Sequence, residues 1–354
     1  MGRVEHLLRR TVEMEGSDLH IKAGTHPYVR VHGELLPLED EPIFTPESAA
    51  EEIFAVVSEQ QRKRFLKELE LDFAHEIPAL ARFRGNIYQQ RNLIQAAFRV
   101  IPLRIQTLDD LHVPPIVKTF CERPRGLVLV TGPAGSGKST TQAACIDYIN
   151  HKFPVHIVTV EDPIEFIHDD DLAFINQREL DVDTLSFANA LKYVLRQDPD
   201  VILVGEMRDL ETIQLAITAS ETGHLVFGTL HTVDAVQTVD RIIDVFPIHQ
   251  QQQVRMQLSV NLVGVISQTL VKRKDGRGRV AAFETLNAVG AVRNLIRENK
   301  TYQISSIVQT GSRMGMQTLD HSLANLVKQG LVAEQDAAAK AKERGEFERL
   351  MATK

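Results

Sequence analysis

The chain has 354 residues, of which 40 are lysine or arginine and 47 are aspartate or glutamate. Hydrophobic residues make up 43% and tryptophan is absent, which is an ordinary globular composition, and at about 100 to 200 residues per domain two domains are favoured. The net charge of −7 argues against a broad nucleic-acid-binding face and leaves room only for a local basic patch.

The sequence also disfavours a disulfide-rich or zinc-knuckle protein and a membrane-spanning or secreted protein. The cysteines, Cys121 and Cys145, are too few for a disulfide framework and too far apart for a zinc knuckle, so buried reduced thiols are expected. No apolar stretch approaches the roughly 18 residues of a membrane span, and the N-terminus lacks the apolar core of a secretory signal. The sequence therefore predicts a cytoplasmic protein without an integral membrane segment, which docks at most on a membrane assembly.

The N-terminal region is predicted to be a mixed α/β unit, because stretches of helical spacing are followed by stretches in which apolar and polar residues alternate. A turn is expected at Gly33, and a helix start at Pro46, where a proline and an acid share the first turn. In chain order, the predicted elements are a helix at 4–15, strands at 18–22 and 28–32, helices from 46 and at 58–69, and strands at 72–76 and 83–100. Pro102, Pro114 and Pro115 then indicate an interdomain linker.

From Gly126 onward, short apolar runs alternate with helical patterns. This alternation predicts a parallel sheet whose strands are buried on both faces and covered by helices on both sides. The region from Ala235 is expected to be mainly helical, with a turn-rich interruption at 274–278 and a fraying terminal helix at 337–354. The four predicted strands lie at 127–130, 156–160, 201–204 and 225–230.

The sharpest motif is the phosphate-loop pattern G-x-x-x-x-G-K-[ST], which lies between an apolar run and a helical pattern, as its mechanism requires. Glycines let successive backbone N–H groups point inward, the lysine reaches the β and γ phosphates, and the serine hydroxyl is a ligand for Mg²⁺. ATP binding with Mg²⁺ is therefore predicted. The predicted nucleotide-binding residues of this loop are Gly132, Pro133, Ala134, Gly135, Ser136, Gly137, Lys138, Ser139 and Thr140.

Acidic residues follow two of the later predicted strands, and ligands of open α/β sheets bind at the carboxyl ends of the strands. Phosphoryl transfer needs one carboxylate near Mg²⁺ and another group that orients the attacking water. Glu206 suits the metal side through a bound water, with Ser139 as the direct metal ligand. Glu165, or failing that Glu161, suits the water side.

Other polar residues have competing explanations. A helix cap or a solvated charge explains Asp162 and Asp209 as well as a catalytic role does. His224 and His231 lie on opposite faces of a strand, which argues against a shared metal site; His231 is predicted to sense the γ phosphate, whereas a structural or interface role suits His224 nearly as well. In the basic run 272–279, a solvated hairpin competes with a contact from Arg279 to the nucleotide or a neighbouring subunit.

Four motifs in order resemble those of the ATPases of type II secretion and type IV pili. They are the phosphate loop, an acidic box at 159–166, a glutamate-bearing Walker B variant at 200–209 and a histidine box at 222–231. Segments 16–20 and 291–298 further resemble the pilus-retraction branch of that family. The chain lacks the paired-cysteine zinc insertion of the extension and secretion ATPases, and its loop at 168–171 is more acidic than the family pattern.

The resemblance implies the α/β class, with an N-terminal PAS-like α+β domain over 1–100, a linker over 101–115 and a RecA-like P-loop ATPase domain with a helical C-terminal part over 116–354. It also implies a ring-shaped homohexamer at the cytoplasmic face of the inner membrane. Nucleotide would bind between the two domains, and the linker would act as the hinge. The implied partner is the inner-membrane platform protein of the pilus, with no role for nucleic acid.

The resemblance also implies roles for single residues. Glu165 would be the catalytic base, Glu206 the Walker B acid and His231 the residue that contacts phosphate. Members of the family bring arginines of the N-terminal domain to the nucleotide. The candidates here are Arg82, Arg84 and Arg99.

The expected function is thus a hexameric ATP-hydrolysing motor for type IV pilus retraction and twitching motility. Three alternatives remain at this point. They are an accessory retraction ATPase, a RecA-like nucleic-acid motor and a nucleotide-binding regulator without turnover. Segment 291–298 also has a structural explanation without a role in function, as a solvated amphipathic helix.

Overall fold

The computed structural model describes residues 2–31, 33–101 and 103–352, so His32 of the second predicted strand and Pro102 of the predicted linker lie outside the described residues. The chain divides into two compact units. The first unit comprises Met1–Arg104 and the short segment Pro163–Ile167, and the second comprises Ile105–Asp162 and His168–Lys354. Glu165 therefore packs with the N-terminal unit, which its position in the acidic box did not predict.

The N-terminal unit is built on a six-stranded sheet of order β3-β2-β1-β6-β5-β4, in which all neighbouring strands are antiparallel. Its helices are α1 (Arg3–Glu13), α2 (Pro46–Phe54) and α3 (Glu59–Glu68), and its strands are β1 (Gly16–Ile21), β2 (Tyr28–Val31), β3 (Glu34–Pro37), β4 (Glu70–Ile77), β5 (Ala81–Gln90) and β6 (Leu93–Ile101).

Local signals explain where these helices begin. The hydroxyls of Thr45 and Ser58 accept the backbone N–H groups of Ser48 and Gln61 in two capping boxes, which satisfy N–H groups that a helix start leaves without partners. The edge strand β3 was not predicted, because all four of its residues are exposed and show no alternation of burial. The predicted helices and the other strands are confirmed with small shifts of their ends.

The stretch predicted at 83–100 is a β-hairpin. Its turn lies at Arg91 and Asn92, both with positive φ, as two-residue hairpin turns that match the strand twist require. Arg84 on β5 lies directly opposite Arg99 on β6, and Arg82 precedes Arg84 by two residues. Because side chains alternate along a strand, the three candidate arginines share one face of this sheet.

The second unit contains a seven-stranded sheet of order β13-β12-β7-β11-β10-β8-β9. All its pairs are parallel except the antiparallel pair β12–β13. The strands are β7 (Gly126–Thr131), β8 (His156–Glu161), β9 (Phe174–Glu179), β10 (Val201–Val204), β11 (Leu225–Leu230), β12 (Leu262–Lys272) and β13 (Arg279–Asn287). The helices are α4 (Ile116–Cys121), α5 (Lys138–Asn150), α6 (Phe187–Val194), α7 (Leu210–Glu221), α8 (Ala235–Asp244), α9 (Ile248–Asn261), α10 (Gly290–Arg297), α11 (Ile304–Thr310), α12 (Leu319–Lys328), α13 (Glu334–Ala338) and α14 (Arg344–Ala352).

The central strands of this sheet are buried on both faces. Every residue of β7, β10 and β11 is buried. Leu127 and Leu129 pack in a core with helices α6 to α10, whereas Val128 and Val130 pack in a second core with α4 and α5. A parallel sheet covered by helices on both sides is confirmed. Cys121 on α4 and Cys145 on α5 are buried free thiols in the second core.

The expectation of a mainly helical region from Ala235 was wrong for the long strands β12 and β13. The first seven residues of β12 are buried, and such an apolar run does not distinguish a central strand from a buried helix. β12 pairs with β7 so that Ser267 lies opposite Thr131, beside the phosphate loop. The predicted terminal helix is two helices, α13 and α14. Among the helices of the described ranges, none combines the length and apolarity that a bilayer crossing needs.

Candidate nucleotide-binding site

The phosphate loop connects β7 to α5 and has the backbone that its glycines predict. Gly132, Gly135 and Gly137 all have positive φ. A Cβ added to Gly132 would lie 2.3 Å from the backbone oxygen of Gln268 on β12, so no larger residue fits there. This left-handed backbone directs N–H groups toward one point and makes the loop a cradle for an anion.

Lys138 begins the link from this loop to the predicted acid. Its Nζ donates to the backbone oxygens of Gly132 and Pro133 at 2.8 and 3.1 Å, and it lies 3.4 Å from Nδ1 of His231. Nε2 of His231 lies 2.8 Å from Oε1 of Glu206. Because lysine can only donate, this geometry suits a histidine that accepts through Nδ1 and donates through Nε2. Three predicted site residues, Lys138, His231 and Glu206, thus form one hydrogen-bonded chain.

Glu206 is held in its ionised form. Burial would raise the pKa of its carboxyl, but the hydrogen bond and charge of Arg208 together with His231 outweigh burial, and the net pKa is lowered. The same ion pair raises the pKa of Arg208. A cavity of about 520 Å³ opens beside Glu206, Arg208, His231 and Arg241. The carboxylate therefore carries a full negative charge at neutral pH next to a space open to a ligand.

The residues predicted to hold Mg²⁺ fit that ion. Ser139 and Thr140 lie in the first turn of α5, and the Ser139 hydroxyl makes no hydrogen bond within the described residues. No group of three or more histidine, cysteine, aspartate or glutamate residues in the described ranges is placed to hold a metal by itself. Mg²⁺ typically keeps several waters and binds through one or two protein ligands plus phosphate oxygens, so a hydroxyl and the ionised Glu206 are a suitable set.

The acidic residues of the box have different partners. Glu161 ends β8, and its Oε1 accepts hydrogen bonds from Thr159 at 2.7 Å and Gln177 at 3.2 Å. Glu165 lies in the N-terminal unit, with its carboxylate 3.7 Å from Nη1 of Arg84. Asp209 accepts the N–H of Thr212 as the cap of α7, which is the structural explanation foreseen for it. The two candidates for the base therefore differ in their partners. Glu161 accepts hydrogen bonds from neighbouring side chains, whereas Glu165 is paired with an arginine.

The three predicted arginines of the N-terminal unit form ion pairs within that unit. Arg82 is 3.7 Å from Glu76, Arg84 is 3.9 Å from Asp72, and Arg99 is 2.9 Å from Asp18, all within the N-terminal unit. Arg279 is exposed at the start of β13, opposite Lys272. Lys272 is five residues beyond Ser267, so Arg279 stands roughly 16 Å past the level of the phosphate loop along the strand. His224 binds the backbone oxygen of Ala219 through Nδ1, which fits a structural role.

Two residues at the site were missed by sequence reasoning. Arg208 pairs with Glu206, and its position two residues after that acid was the available signal. Gln268 is almost fully buried on β12 and donates from Nε2 to the backbone oxygen of Ser136 at 2.7 Å. Nothing in the sequence indicates Gln268, because it reaches the loop only through the pairing of β12 with β7.

Replacing Gln268 by leucine is expected to raise the KM for ATP about tenfold, which corresponds to about 1.4 kcal/mol, while kcat changes less. The reason is that the loop loses the hydrogen bond that fixes the Ser136 carbonyl. Steady-state phosphate release at varied ATP measures both constants. Gln142→Leu is the matched control, since Gln142 is equally buried on α5 and its Nε2 has no partner among the described residues. A pure loss of kcat, or an equal effect in the control, would contradict this role.

His168 is expected to make the protein less stable as the pH falls. Burial lowers the pKa of its ring to about 4, against about 6.5 in an unfolded chain. The folded protein then binds fewer protons, so this stability is complete above pH 6.5 and is lost as the pH falls toward 4. Between pH 7.5 and 5 the loss is about 2 kcal/mol. Urea unfolding at both pH values should show that His168→Gln loses correspondingly less; equal losses would refute the effect.

A parallel sheet that brings a phosphate loop after β7, a histidine after β11 and a glutamate after β10 to one edge, in hydrogen-bond contact with one another, defines a P-loop nucleoside triphosphatase of the RecA-like class. Residues 91–351 match the family described as Type II/IV secretion system protein. The chain belongs to this family.

Named relatives are similar over most of the chain. The twitching motility protein of Neisseria gonorrhoeae is 55% identical over 319 residues, which are 89% of this chain and 84% of the relative. The type IV pilus retraction ATPase PilT of Pseudomonas aeruginosa is 50% identical, covering 96% of this chain and 98% of PilT, against 42% identity for PilU of the same bacterium.

A solved structure extends the similarity to the fold. The crystal structure of the pilus retraction motor PilT with bound ADP is 46% identical, with a TM-score of 0.90 and a match that covers 99% of both chains. These findings confirm the predicted resemblance to the retraction branch of the family. The predicted fold class, a PAS-like α+β domain followed by a RecA-like P-loop domain, is confirmed as well.

Proposed function

We propose that this protein is the ATP-hydrolysing motor of type IV pilus retraction and thereby of twitching motility. It hydrolyses ATP to ADP and phosphate and couples that reaction to mechanical work. The observation that carries the proposal is the hydrogen-bonded chain from Lys138 of the phosphate loop through His231 to the ionised Glu206, in a chain that matches a retraction motor over its whole length. A regulator that only binds nucleotide would need no carboxylate in that place.

The residues of the second unit divide the chemistry among them. The loop backbone binds the triphosphate, and Lys138 turns its ammonium group from the carbonyls of Gly132 and Pro133 to the phosphates, where it offsets negative charge. His231 follows Lys138, because the two side chains share a hydrogen bond, and so relays the occupancy of the loop to Glu206. Loop occupancy and the position of the acid are thus coupled through one imidazole.

Mg²⁺ is the proposed cofactor, held by the Ser139 hydroxyl and, through a water, by Glu206. When bound, it would neutralise the negative charge that develops on the phosphates during hydrolysis. Glu165 is the proposed catalytic base that orients and deprotonates the attacking water. Arg84 lies 3.7 Å from Glu165 and holds its carboxylate in place. Support for Glu165 over Glu161 comes from the hydrogen bonds that already occupy Glu161.

The proposed working form is a homohexamer in the cytoplasm, peripheral to the inner membrane, which acts on the platform protein of the pilus and not on nucleic acid. The motifs shared with the retraction branch support the assembly and the partner. The acidic balance of the chain supports the exclusion of nucleic acid. Arg82, Arg84, Arg99 and Arg279 remain proposed nucleotide contacts. Of these, Arg279 lies on an exposed hairpin that a neighbouring subunit could contact.

Deletion of the gene tests the function. The expected result is a strain that still makes pili but no longer retracts them, and that regains retraction when this gene alone is restored. A strain that retracts normally, or that needs a second ATPase for rescue, would point instead to an accessory retraction ATPase. Stimulation of the purified enzyme by single-stranded DNA would favour a nucleic-acid motor.

A further inference from the structure

A second polar cavity lies at the edge of the large sheet opposite the phosphate loop. It has a volume of about 430 Å³ and opens between the start of β7, the end of α9 and the junction of β13 with α10. β7 begins at Gly126 and the phosphate loop follows Thr131, so about 20 Å of strand separates the two sites. A ligand in this cavity is not the nucleotide that is hydrolysed.

The cavity is strongly positive. Arg123, Arg125 and Arg293 line it, and no aspartate or glutamate does. Arg123 and Arg125 are exposed and make no ion pair within the described residues. Burial lowers the pKa of Arg293, and the positive charges of Arg123 and Arg297 lower it further. Uncompensated cations therefore meet at one point in a chain whose net charge is −7, and an anion placed there would relieve their repulsion.

One of these arginines is fixed in advance. Arg293 donates from Nε to the backbone oxygen of Ala288 at 2.7 Å, from Nη1 to that of Val260 at 2.9 Å and from Nη2 to that of Leu262 at 3.3 Å. A guanidinium has five N–H donors, so two remain for a ligand. Segment 291–298 lies on an amphipathic helix with Val292 and Ile296 buried, and its Arg293 ties α10 to the end of α9 and the start of β12.

The rest of the lining is partly apolar. Val260 is 58% exposed at the rim, and Pro124, Val263 and Val289 also contribute. An apolar rim around several guanidiniums suits a carboxylate that has apolar neighbours in a polypeptide, because Arg–carboxylate pairs are strong, bidentate contacts. A small free anion would leave the apolar rim in water.

We infer that this cavity is a docking site for an acidic side chain, flanked by apolar residues, of a partner protein. A test of pilus retraction in cells rests on the proposed function, whereas a test of peptide binding to the purified protein does not. Arg125→Glu is the test variant, because Arg125 takes no part in the nucleotide site. Lys340→Glu is the control, a charge reversal at an exposed residue of the same unit outside the cavity.

The binding test uses the purified full-length protein and a fluorescent peptide in which glutamate alternates with leucine, with its glutamine counterpart as the uncharged probe. Arg125→Glu should weaken binding of the glutamate peptide at least tenfold, Lys340→Glu should leave it unchanged, and the glutamine peptide should not bind. Failure of the glutamate peptide to bind, or equal binding of both peptides, overturns the inference. So does full displacement of the peptide by inorganic phosphate at equal concentration, or a loss of binding to phosphatidylglycerol vesicles in Arg125→Glu.

The cellular test measures whether the positive charge of Arg125 is needed to couple ATP hydrolysis to retraction. Arg125→Glu should abolish retraction while ATPase activity and piliation stay at wild-type levels, and selection for restored motility should yield acid-to-base substitutions in another protein. Wild-type retraction in Arg125→Glu, or suppressors confined to this gene, would refute a partner at this site. If deletion of the gene leaves retraction intact, the proposed function fails, and the peptide experiment still decides the site.

Discussion

Replacing Lys138 by alanine is expected to lower kcat for ATP hydrolysis by about 10²- to 10³-fold, the usual loss when one preorganised donor to transition-state charge is removed. Lys138 is the side-chain cation that the loop itself supplies, and its Nζ is already held at the mouth of the loop by Gly132 and Pro133. Phosphate release at saturating ATP measures kcat, and binding of labelled ATP shows how much affinity is lost with it.

A matched control lies two residues beyond the end of the same helix. Lys152→Ala removes an exposed lysine just beyond the end of α5, where it pairs with Glu122, and should leave kcat within about twofold because such surface pairs contribute little. Retention of more than a third of wild-type kcat in Lys138→Ala would exclude the proposed role of the loop. A loss of the same size in Lys152→Ala would mean that the helix, and not the ammonium group, is responsible.

Replacing Glu165 by glutamine is expected to lower kcat by about 10²- to 10⁴-fold, the contribution of a positioned general base. Glu161→Gln should lower kcat less than about tenfold. Glu161 accepts hydrogen bonds from Thr159 and Gln177, and glutamine keeps an oxygen that accepts them. Single-turnover hydrolysis by the full-length protein separates this chemical step from product release. The reverse order of effects would transfer the role of base to Glu161.

The two substitutions also report on different parts of the chain. Glu165 belongs to the short segment Pro163–Ile167 that packs with the N-terminal unit, whereas Lys138 belongs to the second unit. A large loss in both variants would therefore mean that hydrolysis needs residues from both units. Arg84→Ala adds a further test, because it removes the ion pair of Glu165 without touching the carboxylate itself.

Much of the site could be predicted because its signals are local. The phosphate loop needs glycines wherever φ is positive, and Gly132, Gly135 and Gly137 show that requirement directly in the sequence. The strands β7, β10 and β11 are buried on both faces, and the continuous apolar runs of their sequences predict this burial. Parallel strands then bring their carboxyl ends to one edge, so the meeting of Glu206 and His231 follows from their places after two neighbouring strands.

What the sequence by itself determined was therefore the class of the sheet, the phosphate loop and the acids that follow its strands, since these depend on the conformation of a few consecutive residues. Only the tertiary structure decided that β12 lies beside β7, that Gln268 supports the loop, that Glu165 packs with the N-terminal unit and that Arg123 and Arg293 share a cavity. Each of these depends on pairing between distant segments. Periodicity reports that a strand is buried, but it carries no information about the neighbour against which that strand is buried.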